Sequence, residues 1–464
     1  MSTPAAVADL ASLAGKRVAV WGYGREGRAA LAAIRTQLPM QPLTLFCQPA
    51  EAAAAMRLDP ALEVLDAEPD AAALADFDVV VKSPGISAYR PALLAAQARG
   101  TRFTSGTALW FAEHARAGRA AAPVIAVTGT KGKSTTTALI AHLARALGVR
   151  TALAGNIGLP LLELRGQDAE LWAVELSSFQ TGEAGPLAVG VITSLHEDHL
   201  DWHGSRERYQ QDKLRLAQVA QWLVVNGSQA TLVEHTAGHH GRVLYGVPEG
   251  WHVAGAAIRQ GCDVVFPLDA LPLPGRHNAL NACAALAALE AAGLDARKAA
   301  PALRDFRPLP HRLQWLGRRD GVDWIDDSIS TTPDAALAAL HSLAGRQVVL
   351  LLGGHDRGLD WSGFVDAVAQ AAPHALVCSG ASGTRIALAL RQGNLAVPVV
   401  QVEDLGAAVA RARELAPAGG CVLLSPGAPS FDQFRDYAER GHRFAELAGF
   451  EAPPVGVIEG LGIA

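Results

Sequence analysis

A short segment of the sequence combines glycines, a lysine and hydroxyl groups at a spacing that could bind phosphate. It follows the apolar run 123–127 and precedes an Ala- and Leu-rich helical pattern that ends near Gly148. In the order strand, glycine loop and helix, backbone N–H groups and the positive end of the helix face an anion. A lysine in the loop would neutralise the outer phosphates, and a neighbouring hydroxyl would reach Mg²⁺. The predicted nucleotide-binding residues of this segment are Gly129, Thr130, Lys131, Gly132, Lys133, Ser134 and Thr135.

The general phosphate-loop pattern is met only in its second half. The usual eight-residue pattern begins with a glycine, and that position holds Val127 here. A structural glycine turn is therefore the alternative. Gly-Lys-Ser-Thr at a helix start favours the phosphate site, because without an anion it places a cation at the positive end of the helix dipole.

Acidic and histidine side chains follow two further apolar runs. Glu175 ends the run 171–175, and α/β sheets bind ligands at the carboxyl ends of their parallel strands. We therefore expect Glu175 to be a Mg²⁺ ligand. The alternative is that it caps the following helix. Zinc sites favour His and Cys in a closed tetrahedral set, so Mg²⁺ is also preferred for the cluster after run 188–193. His196 and His203 of that cluster are expected to be exposed. The cluster comprises His196, Glu197, Asp198, His199, Asp201 and His203.

The first hundred residues contain a Gly-x-Gly-x-x-Gly pattern between an apolar run and a helical pattern, which is typical of a Rossmann-type turn. An NAD enzyme would need an acidic residue after the next strand, where Cys47 and Gln48 stand instead. The run 77–82 leads into a Ser-Pro-Gly turn whose outward N–H groups suit a phosphate or a uracil edge. We expect a nucleotide-sugar diphosphate site, with a purely structural lobe as the alternative. The residues of this site are Gly22, Tyr23, Gly24, Arg25, Ser83, Pro84 and Gly85.

Three polar residues have more than one interpretation. Lys213 lies in a mixed amphipathic helical pattern, where a lone lysine is ordinarily a solvated surface residue. Asn278 and Asn281 stand three residues apart near a helix start. Such a pair could bind an adenine edge, and Asn278 could equally cap the helix.

Composition narrows the function classes. The 464 residues suggest about three domains, and 50% apolar residues suffice for their cores. A net charge of −5 gives no support for a nucleic-acid surface. The five cysteines are widely spaced with no CxxC pair, which predicts buried thiols in a reducing cytosol.

The N-terminus has no basic region before an apolar core, and no uncharged apolar stretch of about 18 residues occurs, so a cytoplasmic protein without membrane spans is expected.

In sequence order, these segments resemble the Mur ligase family, the ATP-dependent amide-forming enzymes of bacterial cell-wall precursor synthesis. The resemblance covers nearly the whole chain, and three of its motifs look like those of the family branch that adds glutamate to UDP-N-acetylmuramoyl-L-alanine. These three motifs are Ser83-Pro-Gly85, Glu175-Leu-Ser-Ser-Phe-Gln180, and Leu424-Ser-Pro with Ser430-Phe-Asp-Gln-Phe434. The other motifs are Gly129 to Thr135, Gly155-Asn-Ile-Gly158, Glu197-Asp-His199-Leu-Asp201, Pro274-Gly-Arg-His-Asn278 with Asn281, and Pro310-His-Arg312.

The resemblance implies an α/β fold with three domains. Residues 1–104 would form a Rossmann-like UDP-sugar-binding lobe, residues 105–310 a central P-loop-type ATPase sheet, and residues 311–464 a Rossmann-like amino-acid-binding domain. A monomer is expected.

The resemblance also implies catalytic and metal-binding roles. Lys133 would bind the ATP phosphates, Ser134 and Glu175 would hold one Mg²⁺, and His199 would serve a second. Lys213 would react with CO₂ to give a carbamate, which replaces a cation with an anionic oxygen ligand. The implied catalytic residues are Lys133, His199 and Lys213, and either His199 or bulk water could deprotonate the incoming amine.

Further residues would contact the substrates. Asn156 would touch the muramoyl group, while the loop 22–27 and Ser83 would hold the UDP end. Asn278 and Arg312 would face ATP, and Asp327 would hold the ribose or orient the closing domain.

The predicted glutamate pocket departs from the ordinary D-glutamate pattern of the family. The family's Asp-Ser-Lys-Ala-Thr is Asp327-Ser-Ile-Ser-Thr331 here, and its Gly-Gly-Asp-Gly-Lys is Gly353-Gly-His-Asp-Arg357. Arginine binds a carboxylate through a planar fork and lysine through a point charge, so the second change repositions the ligand. We therefore favour L-glutamate over D-glutamate, with a separate epimerase correcting the stereocentre later. The implied pocket residues are Thr331, Arg357, Ser430, Phe431 and Tyr437.

Four other functions fit these residues less well. A D-glutamate-adding ligase is the nearest alternative. A folate-glutamate ligase would lack the lobe that precedes the phosphate loop here. A catalytically silent nucleotide-sugar sensor would not need Lys133, Glu175, His199 and Lys213 together. An NAD-linked oxidoreductase is the weakest alternative.

Overall fold

The structure is a computed structural model that describes residues 9–451 and 461–464, apart from 117, 119–120, 196–199, 274, 308, 357 and 394. The chain divides into two compact units, Met1–Phe306 with Gly460–Ala464 and Arg307–Glu459. Both units combine parallel-rich sheets with helices, which confirms the α/β class. Within the described ranges, no helix combines the length and the apolar character that crossing a membrane would require.

A parallel sheet forms the N-terminal part of the first unit. Its central strands are buried along their whole length, as expected for parallel strands covered by helices on both faces. The strands are β1 (Val18–Trp21), β2 (Leu43–Phe46), β3 (Glu63–Leu65), β4 (Val79–Lys82) and β5 (Arg102–Thr104). The helices are α1 (Arg25–Gln37), α2 (Pro49–Leu58), α3 (Ala71–Ala75), α4 (Pro91–Ala98) and α5 (Gly106–Arg116). The strand order is β3-β2-β1-β4-β5, which is a Rossmann-like arrangement.

A second, larger sheet carries the glycine loop. Its strands are β6 (Val124–Thr128), β7 (Thr151–Gly155), β8 (Leu171–Glu175), β9 (Leu187–Ile192), β10 (Ala220–Asn226), β11 (Arg242–Tyr245) and the C-terminal Gly462–Ile463. The C-terminal strand pairs antiparallel with β7, and the other strands pair in parallel. The helices are α6 (Lys133–Ala146), α7 (Leu200–His203), α8 (Arg206–Leu214), α9 (Leu216–Val219), α10 (Ala230–His235), α11 (Arg276–Ala291) and α12 (Ala296–Ala299). The order is β11-β10-β9-β6-β8-β7 followed by the C-terminal strand.

A small antiparallel sheet completes the first unit. Its strands are β12 (Trp251–Ala254), β13 (Ala257–Gln260) and β14 (Asp263–Pro267). Next to this sheet Cys262 is exposed, so the prediction of buried thiols is wrong for that cysteine, which lies in the turn between β13 and β14. Cys47, Cys283, Cys378 and Cys421 are buried.

The second unit is built on one mixed sheet. Its strands are β15 (Gln314–Arg319), β16 (Val322–Asp326), β17 (Val348–Gly353), β18 (Ala375–Ser379), β19 (Val399–Gln401) and β20 (Cys421–Leu424). Its helices are α13 (Pro333–Ser342), α14 (Ser362–Gln370), α15 (Gly383–Gln392), α16 (Leu405–Leu415) and α17 (Tyr437–Ala448). The order is β15-β16-β20-β17-β18-β19, with β15 antiparallel to β16. The C-terminal strand Gly462–Ile463 of the first unit is β21.

The division into three domains, at 1–104, 105–310 and 311–464, stays a prediction. The last residues of the chain differ from it, because Gly460–Ala464 belong to the first unit. β21 belongs to the sheet of the first unit, because it pairs with β7 and Gly462 O accepts a hydrogen bond from Arg145 Nη2 at 2.9 Å. A two-residue strand is too short to be recognised by alternation in the sequence.

Candidate active site

The glycine loop lies between β6 and α6, in the predicted order of strand, loop and helix. Gly129 and Gly132 have φ angles of +149° and +84°. A Cβ atom on Gly129 would lie 2.0 Å from Thr193 Oγ1, and one on Gly132 would lie 2.4 Å from Asn281 Oδ1. Both positions therefore require glycine for their backbone conformation and for space.

Two hydroxyl residues after β9 hold this loop in place. Thr193 Oγ1 donates to Lys131 O at 2.5 Å, and Ser194 Oγ accepts from Lys131 N at 2.8 Å. Thr130 N donates to Ser194 O at 2.9 Å. No sequence motif marks these residues, and their contact with the loop follows from the parallel pairing of β6 with β9.

Lys133 lies against the loop that it follows. Its Nζ donates to Gly129 O at 3.0 Å and to Thr130 O at 3.2 Å. Ser134 and Thr135 are buried in the first turn of α6. The ammonium group and the start of the helix thus concentrate positive potential at one place, which suits a polyphosphate.

Glu175 ends β8 next to this loop and is 1% exposed. Its Oε1 accepts a hydrogen bond from Asn156 Nδ2 at 2.8 Å. Its Oε2 is buried and has no hydrogen-bond partner among the described residues. A buried carboxylate oxygen without a donor is a costly arrangement unless a cation binds it, so the residues present fit a Mg²⁺ ion.

Helix α8 brings Lys213 to the glycine loop. Lys213 is 2% exposed, and its Nζ donates to Gly129 O at 2.8 Å. The same Nζ lies 4.9 Å from the centre of the Tyr209 ring, and Tyr209 OH lies 2.8 Å from Thr130 Oγ1. The interpretation of Lys213 as a solvated surface residue is therefore wrong, because tertiary packing turns this face of α8 inward.

His203 is also buried, at 0% exposure, so the expectation that it is exposed is wrong. Its ring lies against Trp202 and Tyr209, and both ring nitrogens have polar partners, Asp212 and Ser178. His196 and His199 lie outside the described residues. Among those described, no group of three or more His, Cys, Asp or Glu side chains is arranged to hold a metal by itself.

Asn278 and Asn281 lie in the first two turns of α11, and both are buried. Asn281 Nδ2 donates to Asn278 Oδ1 at 3.2 Å. Because Asn281 also lies against Gly132, this pair is next to the glycine loop. The helix N-cap is Gly275, with no side-chain cap, so Asn278 is not the capping residue.

In the first sheet, the predicted nucleotide-sugar residues meet after β1 and β4. Ser83 Oγ donates to Gly22 O at 3.3 Å, and Ser83 N donates to Trp21 O at 2.9 Å. Gly22 has φ +99°, and a Cβ atom there would lie 2.7 Å from Ser83 Oγ. Tyr23 is buried, Gly24 and Gly85 are exposed, and Pro84 is half-buried. Arg25 is exposed and hydrogen-bonded to Gly158 O.

In the second unit, Asp327 is buried directly after β16. Ser425 Oγ donates to its Oδ2 at 2.7 Å, and Leu313 N donates to its Oδ1 at 3.1 Å. Burial raises the pKa of Asp327 to about 6, with Asp326 adding to the rise and the nearby Arg312 opposing it. Arg312 and Asp327 therefore lie close enough for the guanidinium charge to act on the carboxyl group.

The predicted glutamate-pocket residues are spread over the second unit. Ser430 is buried, whereas Phe431 is 60% exposed and its ring centre lies 6.4 Å from that of His355. Tyr437 begins α17, and its carbonyl oxygen accepts from Ser328 Oγ at 2.7 Å. Thr331 is half-buried between β16 and α13. Arg357 lies outside the described residues.

An ion pair that the sequence did not predict flanks position 357. Arg385 donates to Asp356 Oδ2 at 2.9 Å and to Asp356 Oδ1 at 2.5 Å. Its Nη1 also donates to Leu359 O at 2.7 Å. The two hydrogen bonds from Arg385 are the main reason that the pKa of Asp356 falls to about 2.

Comparison with known proteins adds an independent line of argument. The family description "Mur ligase middle domain" matches residues 127–289, and "Mur ligase, glutamate ligase domain" matches residues 311–427. A protein of Xanthomonas campestris pv. campestris (strain 8004), named UDP-N-acetylmuramoyl-L-alanine--L-glutamate ligase, is 50% identical, covering 98% of this chain and 99% of that protein. A protein of the same name from Xylella fastidiosa (strain Temecula1) is 49% identical, covering 98% of this chain and 100% of that protein.

A solved structure shares the fold. UDP-N-acetylmuramate-alanine ligase MurC from Thermotoga maritima superposes with a TM-score of 0.57 at 22% identity, covering 93% of this chain and 98% of that chain. The alignments with the Xanthomonas and Xylella proteins each cover 98% of this chain. The chain therefore belongs to the Mur ligase family.

Proposed function

We propose that the protein is an ATP-dependent ligase of peptidoglycan precursor synthesis that adds L-glutamate to UDP-N-acetylmuramoyl-L-alanine. The observation that carries this proposal is the convergence of Lys133 and buried Lys213 on Gly129 O, together with Glu175 at the end of the neighbouring strand, whose buried Oε2 has no hydrogen-bond partner among the described residues. A glycine loop with two lysines and a buried carboxylate is a site for a polyphosphate and its metal. Relatives named as glutamate ligases, at about half identity over nearly the full length, support the substrate assignment.

The proposed reaction proceeds in two steps. A carboxylate oxygen of the substrate's alanine attacks the γ-phosphorus of ATP, and the bond to ADP breaks. The amine of glutamate, after losing a proton, attacks the carbonyl carbon of the acyl phosphate, and inorganic phosphate leaves. Lys133 and the backbone N–H groups of residues 129–132 would stabilise the charge that moves between the phosphate oxygens.

Mg²⁺ would be held by Ser134 and Glu175, and a second ion by His199 and a carbamate on Lys213. When bound, the metal neutralises phosphate charge. Carbamate formation joins Lys213 Nζ to the carbon of CO₂ with loss of a proton. The burial of Lys213 against the glycine loop supports this modification, because it places Nζ next to the proposed phosphate site.

The substrates would occupy the loops at the carboxyl ends of the strands. The turn Ser83 to Gly85 and the loop 22–27 would hold the UDP end, and Asn156 would contact the muramoyl group from its position beside Glu175. Asn278 would contact ATP beside the glycine loop, with Arg312 and Asp327 of the second unit binding the nucleotide or its ribose.

The glutamate pocket would be formed by Thr331, Arg357, Ser430, Phe431 and Tyr437. Arg385 donates hydrogen bonds to Asp356 and to Leu359 O, so the described residues near this part of the proposed pocket are tied to α15. Arg357 stands where the D-glutamate pattern has a lysine, and a guanidinium fork binds a carboxylate in a different geometry from an ammonium group. L-Glutamate is the proposed substrate because these sequence positions depart from the D-glutamate pattern, and D-glutamate is the alternative.

Several further features belong to the same proposal. The enzyme would act in the cytoplasm as a monomer. The ligated product would carry glutamate in the L configuration. A separate epimerase would then act on this product and convert the glutamate to the D configuration.

One experiment tests the proposal directly. Purified protein is given UDP-N-acetylmuramoyl-L-alanine, ATP and Mg²⁺ with either L- or D-glutamate, and ADP release and the ligated product are measured. We expect product with L-glutamate at a rate at least about tenfold above that with D-glutamate. Preference for the D form would overturn the stereochemical assignment. Failure to release ADP with either form would overturn the ligase and favour a nucleotide-sugar sensor.

A further inference from the structure

Asp212, the residue before Lys213, has contacts that the proposed reaction does not use. It is 4% exposed, and Tyr89 OH lies 2.9 Å and 2.8 Å from its two carboxylate oxygens. Its Oδ2 also lies 2.7 Å from His203 Nδ1. Asp212 is thus a buried carboxylate whose partners come from two different parts of the first unit.

His203 extends these contacts toward the strand that carries Glu175. Its Nε2 lies 2.9 Å from Ser178 Oγ, three residues after Glu175. The ring lies between Trp202 and Tyr209, with centroid distances of 4.5 Å and 5.2 Å. A buried ring with both nitrogens engaged has little freedom to move.

Tyr89 belongs to the segment that follows the Ser83-Pro84-Gly85 turn. Trp202 Nε1 donates to Pro84 O at 3.1 Å, and Ser87 Oγ donates to Trp202 O at 2.6 Å. Tyr89 and Trp202 also contact each other edge to face, with ring centres 5.6 Å apart. The turn proposed for the sugar nucleotide is therefore linked to α7 and α8 by direct contacts.

Helix α8 makes its other contacts with the glycine loop. Lys213 Nζ donates to Gly129 O, and Tyr209 OH lies within hydrogen-bond distance of Thr130 Oγ1. The helix is short, so Asp212 and Lys213 cannot shift independently of each other. A displacement of Tyr89 would thus reach the glycine loop through a single rigid element.

We propose that Asp212 is a positioning residue, which ties Lys213 to Tyr89 so that sugar-nucleotide binding at residues 83–85 and nucleotide binding at the glycine loop favour each other. This inference rests on the proposed function, which supplies the two ligands. By linkage, each ligand must change the affinity of the other by the same factor.

The test measures that factor. Isothermal titration calorimetry with Mg²⁺ and a non-hydrolysable ATP analogue gives its Kd with and without saturating UDP-N-acetylmuramoyl-L-alanine. The wild-type ratio of the two Kd values is expected to lie between about 5 and 150. Tyr89→Phe keeps the ring contacts and removes the hydroxyl, and the ratio should fall below about 2 while each ligand alone binds nearly as before.

Two more variants separate positioning from general stability. Asp212→Asn keeps the shape of the side chain and should lose the coupling as Tyr89→Phe does. Thr236→Val removes one buried hydroxyl hydrogen bond, to Leu232 O in α10, and should keep the wild-type ratio. If a thermal melt shows that Asp212→Asn is not folded, the Kd ratio of Tyr89→Phe alone decides whether the coupling exists.

The outcomes are distinct. A wild-type ratio near 1, or a ratio that Tyr89→Phe leaves unchanged, overturns the coupling while the ligase proposal stands. Absence of binding by either ligand alone to the wild type overturns the proposed function, and the coupling with it.

Discussion

Glu175 allows a test of metal binding that does not depend on turnover. Its Oε1 is hydrogen-bonded to Asn156, but its buried Oε2 has no such partner among the described residues. Leaving a buried polar atom unpaired costs about 1–3 kcal/mol, and more for a charged group. Glu175→Gln removes the charge with little change of shape. In EDTA we therefore expect the variant to unfold at the same temperature as the wild type or at a higher one.

With Mg²⁺ and ADP, the wild type should unfold at a higher temperature than Glu175→Gln. A ligand at about 100 times its Kd stabilises the folded state by about 2.7 kcal/mol. For a unit of this size that corresponds to a rise in Tm of roughly 5 °C. The neutral amide is a poor Mg²⁺ ligand in place of a carboxylate, so the variant should gain less than about half of this.

The assay is differential scanning calorimetry of three proteins in EDTA with ADP and in Mg²⁺ with ADP. Glu234→Gln, a change at an exposed glutamate of the same unit, is the matched control and should follow the wild type in both buffers. A Mg²⁺-dependent gain in Glu175→Gln equal to that of the wild type would refute the reasoning. Glu175 would then be a structural carboxylate, as in the helix-capping alternative.

Three further predictions concern single residues. Lys133→Ala should lower ADP formation at least about a hundredfold while the Kd for UDP-N-acetylmuramoyl-L-alanine changes less than about twofold; turnover close to that of the wild type would contradict its role. Lys213→Ala should recover part of its activity when acetate or formate is added to the assay, and full activity without them would exclude the carbamate. The raised pKa of Asp327, about 6 against an ordinary 3.8, means that the folded state favours the protonated form. Its stabilising contribution is complete below about pH 3.8 and is lost as the pH rises through 6. Urea midpoints of Asp327→Asn should therefore fall less between pH 4 and about 6.5 than those of the wild type, and equal slopes would contradict the shift.

The sequence predicted those parts of the site that lie within one strand, loop and helix. The glycine loop is such a part, because Gly129 to Ser134 are contiguous and the glycines at 129 and 132 match the positive φ angles at those two positions. The Rossmann-like first lobe was predicted for the same reason. Pattern and chemistry agree locally in these segments, so little tertiary information was needed.

The contribution of α8 could not be derived from local pattern. Its residues 206–214 are mostly polar, so neither periodicity nor composition indicates which face is buried. Lys213 was assigned a role only through the family resemblance, and His203 was misplaced on the surface. Lys213 contacts Gly129 and His203 contacts Ser178, and each of these partners lies more than twenty residues away in the sequence.

The three proposed ligand loops share one topological position. In an open α/β sheet, ligands bind where the chain changes the direction in which it adds strands. In the first sheet that place is between β1 and β4, where Ser83 contacts Gly22. In the second sheet it is between β6 and β9, where Thr193 contacts Lys131.

The sheet of the second unit follows the same rule. The chain adds β18 and β19 on one side of β17 and returns with β20 on the other side, so the change of direction lies between β17 and β20. There Gly353 N donates to Pro426 O and His355 N donates to Pro429 O, both at 2.8 Å. These loops precede Arg357 and Ser430, the residues proposed for glutamate. Helices that cover neighbouring strands on opposite faces leave a crevice at such a position, so the strand order of this sheet is consistent with a ligand site at the ends of β17 and β20.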